Sequence, residues 1–145
     1  FYIPSTGQWF PEWMIPYVLI ISMVGLITFS LVNLAKPGFW ALGSGLMSNF
    51  IVIALNGGWM PILPQTLKRM VPLQPIEIWE LGTRLGYTKD RIMAYEETKL
   101  FFLSDIFTLP KWVPYKVAFS IGDVFISIGV VILLWSLSSN NKEKK

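Results

Sequence analysis

The sequence predicts an all-α membrane protein: a small transmembrane helix bundle whose second and third spans are joined by an amphipathic helical segment. Two observations carry that prediction. Of 145 residues, 53% are hydrophobic and only 14% are charged, where a soluble domain carries about a quarter. The apolar residues also gather into runs near residues 14–34, 39–55 and 117–137 whose one charged residue is Asp123, and about 17–25 such residues in a helix cross the hydrocarbon layer. Residues 1–145 read as a single membrane domain, with 59–116 as its extramembrane or interfacial part.

The first run, 14–34, holds 21 residues without a charge. Trp9, Phe10, Trp13 and Tyr17 stand at its leading end, where amphipathic rings favour the headgroup level. Pro16 falls in the first turn, where a missing N–H costs little. Ala35-Lys36-Pro37-Gly38 then breaks the chain, and so short a turn sends the next helix back antiparallel to the first. In that helix, 39–55, Ala41, Gly45 and Asn49 recur every four residues and share one face. Small residues at this spacing let two helix backbones approach closely in lipid, and glycine inside a helix lowers its propensity enough to call for such a reason. Asn56-Gly57-Gly58 and Pro61 end the helix, because Asn and Gly accept positive φ and proline cannot continue it.

Residues 59–116 carry most of the ionisable groups, eight Lys or Arg and six Asp or Glu. No uncharged run of spanning length occurs here, yet the segment is too rich in Trp, Leu, Ile and Phe to be disordered. The expectation is a short helix from Ile76 to Leu85, stopped by Gly86, and a second from Lys89 to Ile106. In the second, Met93, Leu100, Leu103 and Phe107 form an apolar stripe that could lie flat in the interface, cap the bundle or bind a partner subunit. The aromatic, proline-rich turn Leu109 to Tyr115 leads into the last span.

The chain contains no cysteine and no histidine. Disulfides, thiolate metal sites and a cysteine nucleophile are excluded, and the commonest general base and metal ligand are missing. No metal site and no catalytic constellation is expected, and the composition leaves any cofactor unknown. A net charge of +3, thinly scattered, gives no footprint for nucleic acid. The tail Asn141 to Lys145 reads as a solvated end with access to anionic headgroups. Basic residues in short loops favour the cytoplasm; Lys36 and the C-terminal lysines fall on one side, so that tail is expected to be cytoplasmic.

Asp123 is the leading candidate for a functional residue. It is expected about two turns inside the third span, where an ionised carboxylate is costly. Ser120, Asp123 and Ser127 would form one polar stripe facing the bundle interior or water. That stripe suits an ion or proton site, or else a structural carboxylate accepting from the Gly57 or Gly58 amides or from a basic side chain. Asn49 is the other polar group within a span, expected to bond a neighbouring helix. Glu96 and Glu97 are adjacent and point apart, while Glu77 and Glu80 have no third ligand. Gly57-Gly58 lacks the Lys-Ser or Lys-Thr of a phosphate loop.

The stretch Asn56-Gly57-Gly58-Trp59-Met60-Pro61 resembles the Asn-Gly-Gly-x-Met-Pro signature of a bacterial multi-pass membrane family known as a domain of unknown function. Glu97 to Leu100, Leu103 to Ile106 and Ser120-Ile121-Gly122-Asp123 extend the likeness over roughly residues 40–135. The resemblance implies a bacterial inner-membrane protein with Asn56, Gly57, Gly58, Asp105, Gly122 and Asp123 as signature positions, and it implies no activity. It also implies a further apolar segment before Phe1, so the polypeptide is expected to be processed or incomplete at its start. The expected role is a non-catalytic subunit or scaffold of a larger membrane assembly, an energy-converting one among the candidates, with lipids and other membrane subunits as partners. The alternative is a small transporter or ion-conducting protein using the Asp123 stripe.

Overall fold

A computed structural model describes residues 11–86 and 88–140. Trp9, Phe10 and the lysine-rich tail lie outside the described residues. The described residues are mostly helical, with four α-helices among them: α1 (Ile15–Val32), α2 (Phe39–Leu55), α3 (Pro64–Met70) and α4 (Ile121–Asn140). A 3-10 turn at Glu12–Met14 precedes α1. The runs Glu12–Val32 and Ile121–Ser139 are long and apolar enough to cross a membrane, and α2 is a shorter apolar helix. Among the described residues short strands accompany the helices: β1 (Met60–Ile62) pairs in parallel with β2 (Asp90–Ile92), and β3 (Phe107–Thr108) pairs antiparallel with β4 (Ala118–Phe119).

Helices α1 and α2 form a hairpin. At the turn end, the buried Ser30 hydroxyl donates to the Phe39 carbonyl at 2.9 Å. At the other end, Gly58 lies so close to Pro16 that a Cβ at that position would overlap the proline ring. Gly58 also completes the C-terminal cap of α2. With Gly57 and Gly58 at φ 71° and 84°, the Gly58 N–H turns back to the Ile53 carbonyl at 2.9 Å, the six-to-one bond of a Schellman motif.

The tightest contact joins α2 to α4, which run antiparallel. A Cβ on Gly45 would come within 2.8 Å of the Ile126 nitrogen, and one on Gly122 within 2.8 Å of the Gly45 carbonyl oxygen. One on Gly129 would come within 2.5 Å of the Leu42 nitrogen and within 2.7 Å of the Gly38 carbonyl oxygen. Gly38 and Gly45 on one side, and Gly122 and Gly129 on the other, thus recur at intervals of seven and let the two backbones approach closely. The anticipated close-packing face of α2 does contain buried Ala41, Gly45 and Asn49, and it reaches one turn further back, to Gly38. Met23, Ile27, Leu46, Val52, Ile53 and Met60 fill the space between the helices.

Four expectations are corrected. The structure is not all-α, because strands are present. The third apolar helix begins at Ile121 rather than 117, since Ala118–Phe119 pair as a strand with Phe107–Thr108. The helix expected from Ile76 to Leu85 is reduced to a 3-10 turn at Ile76–Ile78. The helix expected from Lys89 to Ile106 is absent: Asp90–Ile92 is a strand and two 3-10 turns follow, at Tyr95–Glu97 and Phe101–Leu103. Tertiary partners override the helical spacing there. Met60 N–H donates to the Lys89 carbonyl and Met93 N–H to the Ile62 carbonyl, so that backbone is committed to a ladder. Leu100, at φ 53°, then interrupts the chain in the left-handed region.

Candidate functional site

Of the polar groups singled out from the sequence, Asn49, Asn56, Asp105, Ser120 and Asp123 fall at one end of the three long helices, in three nodes. The first surrounds the start of α4. Ser120 precedes the helix and is fully buried. Its hydroxyl lies 3.1 Å from the Asp123 N–H, and the Asp123 Oδ2 accepts from the Ser120 N–H and hydroxyl, both at 2.9 Å. This is a capping box, Ser-x-x-Asp, which satisfies two amides that a helix start leaves open. Asp123 therefore sits in the first turn, not two turns inside, where its charge also meets the positive end of the helix dipole. Its other oxygen accepts from Asn49 Nδ2 on α2 at 2.8 Å, and Asn49 Oδ1 lies 2.8 Å from the Ser120 hydroxyl, sharing its one proton with Asp123 Oδ2. The partners are thus Asn49 and Ser120 rather than the Gly57 and Gly58 amides. Gly122 is the space that admits Asn49, because a Cβ there would strike its side-chain carbonyl. Ser127 is exposed and its hydroxyl returns to the Asp123 carbonyl at 2.8 Å, so it shares no ligand-facing stripe with Asp123.

The second node is Asn56. Its Nδ2 donates to the Lys99 carbonyl and its Oδ1 accepts the Lys99 N–H, both at 2.9 Å. The side-chain amide thus pairs with main chain as a neighbouring strand would, tying the end of α2 to the loop that carries Leu100.

The third node is an ion-paired cluster hung on β1. The Pro61 carbonyl accepts the Asp105 N–H, and the Met60 N–H donates to the Lys89 carbonyl. Residues 16 positions apart in sequence are thereby brought together: Lys89 Nζ donates to Asp105 Oδ2 at 2.9 Å and lies 3.5 Å from Asp90 Oδ1. The longer contact is electrostatic and not a hydrogen bond, so Asp90 Oδ1 is buried without a hydrogen-bond partner, as is Asp105 Oδ1. Burial pushes the Asp105 carboxyl up to about 7, against the opposing pull of Lys89 and with help from Asp90 and Asp123. Burial works against the Lys89 ammonium too, but Asp105 and Asp90 outweigh it and its pKa rises. The two directions belong to different pH ranges. Above about 7 the ionised Asp105 holds Lys89 charged; below it Asp105 is neutral and Asp90 remains beside the ammonium.

Glu77, Glu80, Glu96 and Glu97 are all exposed. Among the described residues no group of three or more acidic side chains is placed to hold a metal ion. Lys89 was not among the residues singled out from the sequence, since nothing local marks it as the partner of Asp105. The Asp123 cap did have a local signal: Ser, two residues, then Asp ahead of an apolar run.

A model of a family of unknown function, DUF5317, matches residues 1–135. An uncharacterized protein of Thermotoga maritima is 29% identical over 136 residues, which cover 91% of this chain and 70% of that protein. No solved structure matches the chain.

Proposed function

The chain belongs to DUF5317, a family of unknown function, and from that premise we propose that it is a multi-pass protein of the bacterial inner membrane, serving as a non-catalytic subunit or scaffold of a larger membrane assembly. The three apolar helices form the membrane bundle in this reading, with residues 59–119 folded over one end of it. Its support in the helices is outward apolar surface. Ile21, Val32 and Trp135 are each more than 70% exposed, an arrangement that acyl chains solvate and water does not.

The observation that carries the subunit role lies beyond the helices. Leu73 is 99% exposed, and Ile76, Ile78 and Leu81 stand out beside it on the segment between α3 and β2. Several large apolar side chains left exposed on one short segment outside the helices favour a protein contact. Extraction from native membrane in mild detergent tests this. A partner at fixed stoichiometry is expected with the wild type and lost from Leu73→Glu/Ile78→Glu, which should stay in the membrane fraction. A wild-type chain that migrates alone would overturn the role. Transport through Asp123 has less support, because both its oxygens are taken by Asn49 and Ser120.

A further inference from the structure

The β3–β4 hairpin carries a loop, residues 109–117, that folds against α3 and borders a cleft of about 120 Å³, smaller than the roughly 300–1,000 Å³ of sites that take a whole small molecule and of a size for one compact group. Three of its lining residues are cationic: Arg69 from α3, and Lys111 and Lys116 from the loop. No acidic residue lines it among the described residues. Its remaining wall is largely apolar, with Met70, Leu109 and Val113. Arg69 is fixed in place, since its Nη2 donates to the Ile106 carbonyl at 2.7 Å and lies 3.2 Å from Thr66 Oγ1. A guanidinium has five N–H donors, so others remain for an anion.

The cleft's position adds an independent constraint. Strand β4 leads directly through Ser120 into α4, so the loop is held at the entry of an apolar helix. Trp112 and Tyr115 project from it, 83% and 71% exposed. Exposed Trp and Tyr beside Lys and Arg, at the mouth of a span, match the headgroup layer, where rings prefer the interface and cations meet phosphate. We propose that the cleft between α3 and the β3–β4 loop is a binding site for the phosphate headgroup of an anionic phospholipid, held by Arg69, Lys111 and Lys116. The inference rests on the membrane reading above.

The full chain, purified in nonionic detergent and stripped of lipid, is given phosphatidylglycerol, phosphatidylcholine or inorganic phosphate. Native mass spectrometry counts the bound lipid, and thermal unfolding follows in parallel. Phosphatidylglycerol is expected to bind and to raise Tm, with no such rise from phosphatidylcholine or free phosphate. Lys111→Gln/Lys116→Gln, which spares the fold-bearing Arg69, should weaken phosphatidylglycerol retention roughly 10–30-fold and leave the lipid-free Tm unchanged. Equal retention of the two lipids, an undiminished response in the double variant, or equal protection by free phosphate would each overturn the site. Recovery of the wild type in the aqueous fraction without detergent removes the membrane reading and the site with it. A chain that stays in the membrane without lipid preference removes the site alone.

Discussion

Asp105 offers one carboxylate oxygen to Lys89 and leaves the other buried without a hydrogen-bond partner. The charged groups acting on it are Lys89, Asp90 and Asp123. Its carboxyl titrates near 7 in the folded chain against 3.8 for an ordinary aspartate. Between those values the native state holds a proton that the unfolded chain has released, so stability falls as pH rises from about 4 to about 7 and then levels off. Lys89 does not oppose this within the window. Its raised pKa contributes stability that is fully present below 10.5 and is lost only above that. With 39% of its side chain exposed, its contribution is also screened by solvent. Asp105→Asn should therefore flatten the decline in unfolding free energy between pH 4 and 7, measured by denaturant titration in micelles. An unchanged slope would place the titration elsewhere. Sequence reading reached Asp105 only through a family likeness and missed Lys89, because the pair exists only after Met60 and Pro61 have drawn two distant loops to one strand.

The α2–α4 seam was partly visible in the chain, since Ala41, Gly45 and Asn49 marked one small-residue face of α2. Its other half was not, because a spacing of seven between Gly122 and Gly129 gains meaning only once the opposing glycines are known. Lys89 to Ile106 shows the converse failure. An apolar stripe at helical spacing is compatible with a helix, but it does not record that Asn56 grips the Lys99 backbone or that Leu100 adopts φ 53°. Periodicity reports a side-chain pattern, whereas long-range hydrogen bonds decided this backbone. The seam gives a clean contrast between two glycines. Gly45→Val would drive side-chain atoms into the Ile126 backbone and should destabilise by about 1–3 kcal/mol, as overpacking does. Gly25→Ala on α1 has nothing within 4 Å of the added carbon and should be neutral or stabilising by up to about 1 kcal/mol through helix propensity. Thermal unfolding in one detergent reads both. Equal effects from the two substitutions would mean that the seam is not a close backbone contact in solution.

Across the whole molecule the polar and apolar parts are sorted along the helix axes. Trp13 at the start of α1, Asn56 at the end of α2 and Asp123 at the start of α4 lie at one end, together with the 59–119 segment. The short turn at 33–38 and the far half of α4 lie at the other, where Gly38 meets Gly129 and Leu133. Under the proposed membrane reading the two ends fall on opposite faces of the bilayer, and the positive-inside tendency of Lys36 makes its own end the expected cytoplasmic one. The absence of cysteine makes the topology directly testable, because each introduced thiol is the only one in the chain. Ala35→Cys and Leu73→Cys both occupy exposed positions and alter no charge. A membrane-impermeant maleimide added to intact spheroplasts should label Leu73→Cys and spare Ala35→Cys, and inverted vesicles should reverse the pattern. Labelling of both thiols from the same side would require a chain that does not cross the bilayer an odd number of times between them. The 39–55 helix would then have to lie along the surface, and with it the glycine seam that binds α4 to it.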